Sequence, residues 1–214
     1  MDITIKDNKD ARVSLQELHE LFQQSFQQWR DSGIDVPALH GTFEDFKAKV
    51  EPALVFVAQD GETGKLLAMH CFYGSLRKGH VHGFFLAVSP EAKHQGLATR
   101  MLEHETRLFR KKGIRYLRGN TSEAASWSVR WHLKNGYRKV GYRRTEDSNS
   151  ALVIFRKQIA TDWRRHPADL LWTRPLAPLT AKIQYAASYL ATNICKTRTG
   201  RLNWMGRMAK RIIR

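Results

Sequence analysis

Leu86-Ala87-Val88-Ser89-Pro90-Glu91-Ala92-Lys93-His94-Gln95-Gly96-Leu97-Ala98-Thr99 is the stretch on which the fold turns. An apolar run, Leu86 to Val88, ends at Ser89-Pro90 as a strand would, because proline cannot donate to a ladder. A short loop follows, and Gly96 and Ala98 open a helical pattern. The first N–H groups of a helix have no partner inside it, and the helix dipole adds about half a positive charge at that end. Small residues there let an anion approach the main chain, so a phosphate or diphosphate fits the turn. A plain packing turn of small residues is the alternative. The spacing matches neither a Walker loop nor the three-glycine dinucleotide fingerprint.

The surrounding elements extend outward in both directions. Downstream, a helix from Gly96 to about Lys112 places Leu97, Met101, Leu102, Leu108 and Phe109 on one stripe, with Gly113 at its C′ position. Ile114 to Gly119 reads as a strand, and Ala124 to Asn135 as a helix closed by Gly136. Strands at 137–144 and 151–156 flank the turn Glu146-Asp147-Ser148-Asn149-Ser150. Upstream, Ile3 and Ile5 alternate in a short first strand. Ser14 caps a helix running to about Asp31, with Glu17 as its capping-box partner. Thr42 caps a second helix to Lys49. Residues 54–58 and 66–73 form a hairpin across Asp60-Gly61-Glu62-Thr63-Gly64, and 80–88 is the next strand. This order predicts an α/β class: a mixed, mostly antiparallel sheet of six to seven strands, with helices on both faces.

The turn also carries a resemblance. Lys93-His94-Gln95-Gly96-Leu97-Ala98 resembles the acyl-CoA-binding segment Gln/Arg-x-x-Gly-x-Gly/Ala of the GCN5-related N-acetyltransferase (GNAT) family, with lysine at the first position. Lysine carries the charge but not the fork geometry of arginine. A second signature is similar: Asn120 after the fifth strand, then Ser128-Val129-Arg130-Trp131-His132-Leu133-Lys134-Asn135-Gly136-Tyr137. The resemblance covers about residues 1–156 and implies the acyl-CoA N-acyltransferase fold. It implies a sheet splayed between its fourth and fifth strands, with pantetheine in the gap, and acetyl-CoA as co-substrate without a metal. It places Val88, Lys93, Gln95, Gly96, Leu97, Ala98, Thr99 and Asn120 at the cofactor, the main-chain N–H groups of 95–99 on its diphosphate. A neutral primary amine would attack the thioester directly, and the departing thiolate would need a proton.

The sequence departs from the family at its acid and base. The helix position usually held by a thiol-protonating tyrosine is His132, on the apolar side with Ala125, Val129 and Leu133. It is either the proton donor or a core histidine bonded to a neighbour. Tyr137 is a substitute hydroxyl near the same end. Six residues before Val88, where some members carry a glutamate base, stands His82, in parity with Phe84, Leu86 and Val88. It is a candidate base, or a structural or substrate-contacting residue. His70, His80 and His104 are weaker candidates, and Trp127 and Trp131 read as core or acceptor-pocket walls. No cysteine partner or His-x-x-x-His spacing argues for a metal.

Composition bounds the rest. The chain has 214 residues, 42% hydrophobic and 26% charged, enough for a packed core. No apolar run reaches about 18 residues, the N-terminus has no secretory pattern, and Cys71 and Cys195 cannot staple a scaffold. A cytoplasmic protein is the expectation. Of the net charge of +16, residues 157–214 hold +10, from 12 Lys and Arg against 2 acids. That shift marks a second segment. In it Leu179, Ile183, Ala186, Ala187, Leu190 and Ile194 share one helical face, and Leu202, Met205, Met208 and Ile212 oppose Arg207, Lys210, Arg211 and Arg214. Basic amphipathic helices flanked by tryptophan suit an anionic membrane surface. An amino-sugar or lipid-linked amine acceptor, peripheral at the inner membrane face, follows as the expectation, with a protein lysine or N-terminus as alternative. Packing on the domain, docking on an acidic protein and binding nucleic acid are other readings of the tail. No base-stacking module supports the last. A catalytically degenerate binding or anchoring module is the non-enzymatic alternative.

Overall fold

The computed structural model describes residues 2–35, 37–75, 79–144 and 150–160. Most of the basic segment at 157–214, with both of its expected helical faces, lies outside the described residues. Chain contacts group into two compact units. The first holds β1 (Ile3–Asp7), α1 (Asn8–Ala11), α2 (Leu15–Ser25), α3 (Gln27–Asp31), α4 (Phe43–Val50), β2 (Leu54–Asp60), β3 (Leu66–Ser75), β4 (His80–Val88) and α5 (Leu97–Lys111). β5 (Tyr116–Ser122) begins in the first unit and ends in the second, which adds α6 (Ser126–Lys134), β6 (Arg138–Arg143) and β7 (Leu152–Gln158).

The strands form one mixed sheet in the order β1-β2-β3-β4-β5-β7-β6. β1 to β4 pair antiparallel, β6 pairs β7 antiparallel, and β4 pairs β5 in parallel across the α5 crossover. This is the mixed, mostly antiparallel α/β class that the element order predicts.

In the first unit helices cover both faces of the sheet. α5 buries Leu97, Met101, Leu102 and Phe109, an i, i+4, i+5 stripe. Phe109 meets Phe56 and Phe72 edge-on, with centroids 5.8 and 4.9 Å apart. On the opposite face Phe22 of α2 and Phe46 of α4 close on Phe85 of β4 at 4.6 and 5.8 Å. Each such ring removed from water contributes about 1.5–3 kcal/mol. The expected capping box at Ser14 forms, and the expected cap Thr42 makes a second box with Asp45. The Glu17 N–H donates to Ser14 Oγ at 3.2 Å while the Ser14 N–H donates to Glu17 Oε2 at 2.8 Å. Thr42 and Asp45 repeat the exchange at 3.2 and 2.9 Å.

Three local features differ from expectation. The helix from Ser14 breaks at Phe26 (φ −91°, ψ 3°) into α2 and α3. The Trp29 N–H turns to Phe26 O at 3.0 Å, and Ser25 O instead accepts from the Lys93 ammonium at 3.2 Å. α1 is an extra turn, capped by Asp7 accepting from the Lys9 N–H at 2.9 Å; its sequence has no apolar stripe to announce it. β5 runs on to Ser122, so Asn120 lies within the strand rather than after it.

Candidate functional site

The loop between β4 and α5 is built by its main chain. A single 3-10 turn at Pro90–Ala92 leads out of β4, and then the chain changes hand twice, with φ +64° at His94 and +75° at Gly96. Alternating hand of this kind turns successive N–H groups toward a common side, which is how backbone anion cradles form. Gly96 is the N-cap of α5 and offers no side chain to the helix. A Cβ built there would meet nothing within 4 Å. Among the described residues the N–H groups of Gln95, Gly96, Leu97 and Ala98 have no protein acceptor, whereas the Thr99 N–H donates to Gly96 O at 3.0 Å. The first turn of α5 has no acidic residue. Open space, orphan donors and a positive helix end together fit a diphosphate.

Side chains brace this loop instead of filling it. The Gln95 side-chain amide donates back to Glu91 O at 2.8 Å. The Glu91 carboxylate pairs with the Lys65 ammonium at 2.7 Å, and that bond is the largest cause holding it below the usual carboxylate range. The Lys93 ammonium donates to Ser25 O at 3.2 Å and to Gln28 Oε1 at 3.4 Å, and burial lowers its pKa. The Val88 N–H donates to Ser25 Oγ at 3.0 Å.

β4 reaches this loop past a β-bulge. Cys71 stands opposite Phe84 and Met69 opposite Ala87, so Phe85 and Leu86 together face one residue, with Phe85 at φ +50°. The bulge reverses strand parity. Tyr73 pairs with His82 and Cys71 with Phe84 on one face, while Ala68 pairs with Val88 on the other. His82 therefore shares a face with Phe84 but not with Val88, which corrects the parity count of the sequence. Its ring stacks on Tyr73 at 4.9 Å and 23°, and Tyr73 is 57% exposed. Among the described residues, pairing with β5 sets His80, Val81 and His82 opposite Tyr116, Leu117 and Arg118, and β4 runs on to Val88.

In the second unit His132 stacks on the buried ring of Phe155 at 4.5 Å and 15°, with Tyr137 edge-on at 5.1 Å. Its Nδ1 bonds Ser128 O at 2.8 Å. The stripe expected inward is only partly so: Ala125 is buried, Val129 and His132 are half-buried, and Leu133 is 46% exposed. Trp131 packs edge-on against His132 at 5.1 Å, and Tyr137 is buried.

Two arrangements were invisible to sequence reading. His70 Nδ1 meets both oxygens of Glu105 at 3.1 and 2.9 Å, joining β3 to α5 in the core; Glu105 is fully buried. A Cβ on Gly83 would lie 2.7 Å from His70 Nε2, so the pair sits flush against β4. Burial, then the nearby Glu105 charge, pushes the Cys71 thiol well above its ordinary range. The other arrangement is Ser25, which meets the β4–α5 connection at Val88 and at Lys93. Among the described residues no cluster of three His, Cys, Asp or Glu side chains is placed to hold a metal ion.

The sequence matches the description "Acetyltransferase (GNAT) family" over residues 15–137. The chain belongs to the GNAT acetyltransferase family, whose co-substrate is acetyl-CoA. No curated protein sequence matches it. Among solved structures it is similar to the ribosomal-protein-S18-alanine N-acetyltransferase from Escherichia coli, with 18% identity and a TM-score of 0.58 over 77% of this chain and 99% of that one. It is similar as well to a spermidine N-acetyltransferase chimera from Vibrio cholerae and hSSAT, with 8% identity and a TM-score of 0.57 over 74% and 96% of the two chains. The IAA acetyltransferase from Bacillus cereus gives 12% identity and a TM-score of 0.54 over 73% and 99%. At such identities the likeness is one of fold, and it bears out the acyl-CoA N-acyltransferase architecture.

Proposed function

We propose that this protein is an N-acetyltransferase that moves an acetyl group from acetyl-CoA to a primary amine. The observation that carries the reading is the mouth of α5, where four consecutive main-chain N–H groups lack a protein acceptor and Gly96 leaves the approach open. The N–H groups of Gln95, Gly96, Leu97 and Ala98 would hold the diphosphate, with Thr99 in the same turn. Bound there, acetyl-CoA supplies an activated thioester carbonyl. The amine nitrogen attacks that carbon, the C–N bond forms and the C–S bond breaks, so one proton must leave the nitrogen and one must reach the sulfur.

His82 is the proposed base and His132 the proposed proton donor, with Tyr137 as the second hydroxyl candidate. Asn120 is proposed to bond the pantetheine arm. Each is tested on its own in pH–rate profiles of His82→Ala, His132→Phe and Tyr137→Phe. Loss of one limb of the profile assigns the role; wild-type turnover across the range removes it. The named activities of two structural neighbours, on a protein alanine and on spermidine, support an amine acceptor in general. The amino-sugar or lipid-linked class rests only on the charge of residues 157–214, proposed as a basic extension to the domain at 1–156 that meets an anionic membrane surface at the cytoplasmic side.

The test is a mass-spectrometric survey of polyamines, amino sugars, amino lipids and peptides incubated with acetyl-CoA and the full chain. A gain of one acetyl group on one class, dependent on the protein, is the expected result. Tight acetyl-CoA binding with no acetylated amine in any class would leave a degenerate binding module instead.

A further inference from the structure

The basic residue of the β4–α5 loop is engaged by α2 and α3. Lys93 turns its ammonium onto the carbonyl oxygen of Ser25 at 3.2 Å and toward Gln28 Oε1 at 3.4 Å. The same Ser25 uses its hydroxyl oxygen to accept from the Val88 N–H, the last of β4, at 3.0 Å. Ser25 is buried, at 8% exposure, and it is the last residue of α2 before the break at Phe26. One residue thus holds the β4–α5 connection at two points, Val88 before the loop and Lys93 within it. The break is what frees the Ser25 carbonyl, since the Trp29 N–H that a continuous helix would bring to it bonds Phe26 O. A carbonyl accepting from an ammonium is a charge-assisted bond, stronger than a neutral one.

We propose that Ser25 and Lys93 are positioning residues for the cofactor site: together they clamp the diphosphate loop to the end of α2, and the diphosphate itself is gripped by main-chain N–H groups without the lysine charge. The proposal rests on the acetyl-CoA reading above and assigns Lys93 a role other than the phosphate contact implied by the family pattern. It links the loop to the aromatic helices as well, because the clamp residue shares α2 with Phe22, which packs on Phe85 at the bulge of β4.

The experiment measures the acetyl-CoA dissociation constant against salt concentration for the wild type, Ser25→Ala, Ser25→Thr and Lys93→Met, in full-length protein with the fold checked by circular dichroism. The clamp predicts that Ser25→Ala and Lys93→Met each weaken binding by about five- to tenfold, the size of one lost hydrogen bond to a charged or buried group. Ser25→Thr, which keeps the hydroxyl, stays within about twofold of wild type. The salt dependence of Lys93→Met stays close to that of wild type, because no phosphate contact is lost; loss of a direct lysine–phosphate ion pair would flatten it. Ser25→Ala removes the bond from the Val88 N–H and Lys93→Met the bond to the Ser25 carbonyl, two grips on one loop, so the double variant loses less than the sum of the singles. Wild-type affinity in Ser25→Ala, or a reduced salt slope in Lys93→Met, overturns the clamp and leaves the site reading standing. No acetyl-CoA binding by the wild type overturns the site reading and the clamp with it.

Discussion

Gly96 shows how much of the site depends on one backbone angle. At φ +75° an L side chain is strained even where space is free, at a cost of about 1–2 kcal/mol. A Cβ there would meet nothing within 4 Å, so Gly96→Ala introduces strain without a clash. The strain is relieved by rotating the peptide that opens α5, and that moves the orphan N–H groups off their common side. Gly96→Ala is expected to bind acetyl-CoA about tenfold more weakly in calorimetry, with its melting temperature lowered by only a few degrees. Unchanged affinity would place the diphosphate elsewhere. This glycine was legible in the sequence as a small residue at a strand-to-helix turn. The direction of Lys93 was not, because a side chain that reaches a carbonyl 68 positions away leaves no local pattern. The same holds for His70 and Glu105, 35 residues apart in sequence and in contact only through the fold.

At the scale of elements, α5 carries both the proposed anion cradle and the core stripe, and Glu105 ties it to β3. Glu105→Leu would leave the buried Nδ1 of His70 without its acceptor, a cost of about 1–3 kcal/mol. In a protein of this size that lowers the melting temperature by about 3–10 °C, and Glu105→Gln, which still offers an oxygen, loses less. Equal losses in the two variants would mean that packing, not the hydrogen bond, holds the pair. The capping boxes give a pH-dependent counterpart. Bonds from Ser14 hold Glu17, and bonds from Thr42 hold Asp45, below their ordinary carboxylate pKa values of 4.5 and 3.8. A group whose folded pKa is depressed contributes stability that is present above the unfolded value and is lost as pH falls through the folded one. Melting temperature should therefore fall below about pH 4.5 more steeply in the wild type than in Glu17→Gln/Asp45→Asn, whose caps do not titrate. Parallel curves would contradict the assignment. The first box is legible in the sequence as Ser-x-x-Glu, because capping is local; Asp45 is not the Glu or Gln of that pattern, so Thr42 is legible there only as a cap. The bulge at Phe85 was not, and it alone turned a correct count of strand residues into the wrong face for His82.

For the whole molecule, the sequence placed the order of strands and helices, and the sheet order adds what only long-range pairing decides: β7 enters between β5 and β6. The charge asymmetry is the other property at this scale. Removal of the basic tail is best made after Ala160, because the Ile159 N–H donates to Arg115 O at 2.9 Å and Arg110 Nε donates to Ile159 O at 2.7 Å. If the tail seeks anionic surfaces, the full chain floats with phosphatidylserine vesicles at low salt and the chain ending at Ala160 does not, while both bind acetyl-CoA alike. Flotation unchanged by the truncation would remove the membrane role without touching the catalytic reading. Whether main-chain donors at the mouth of α5 hold the diphosphate is decided by following backbone amides in ¹⁵N–¹H NMR during a titration with coenzyme A. The amides of Gln95, Gly96, Leu97 and Ala98 are expected to move furthest and to saturate together; saturation with those four unmoved would place the diphosphate elsewhere.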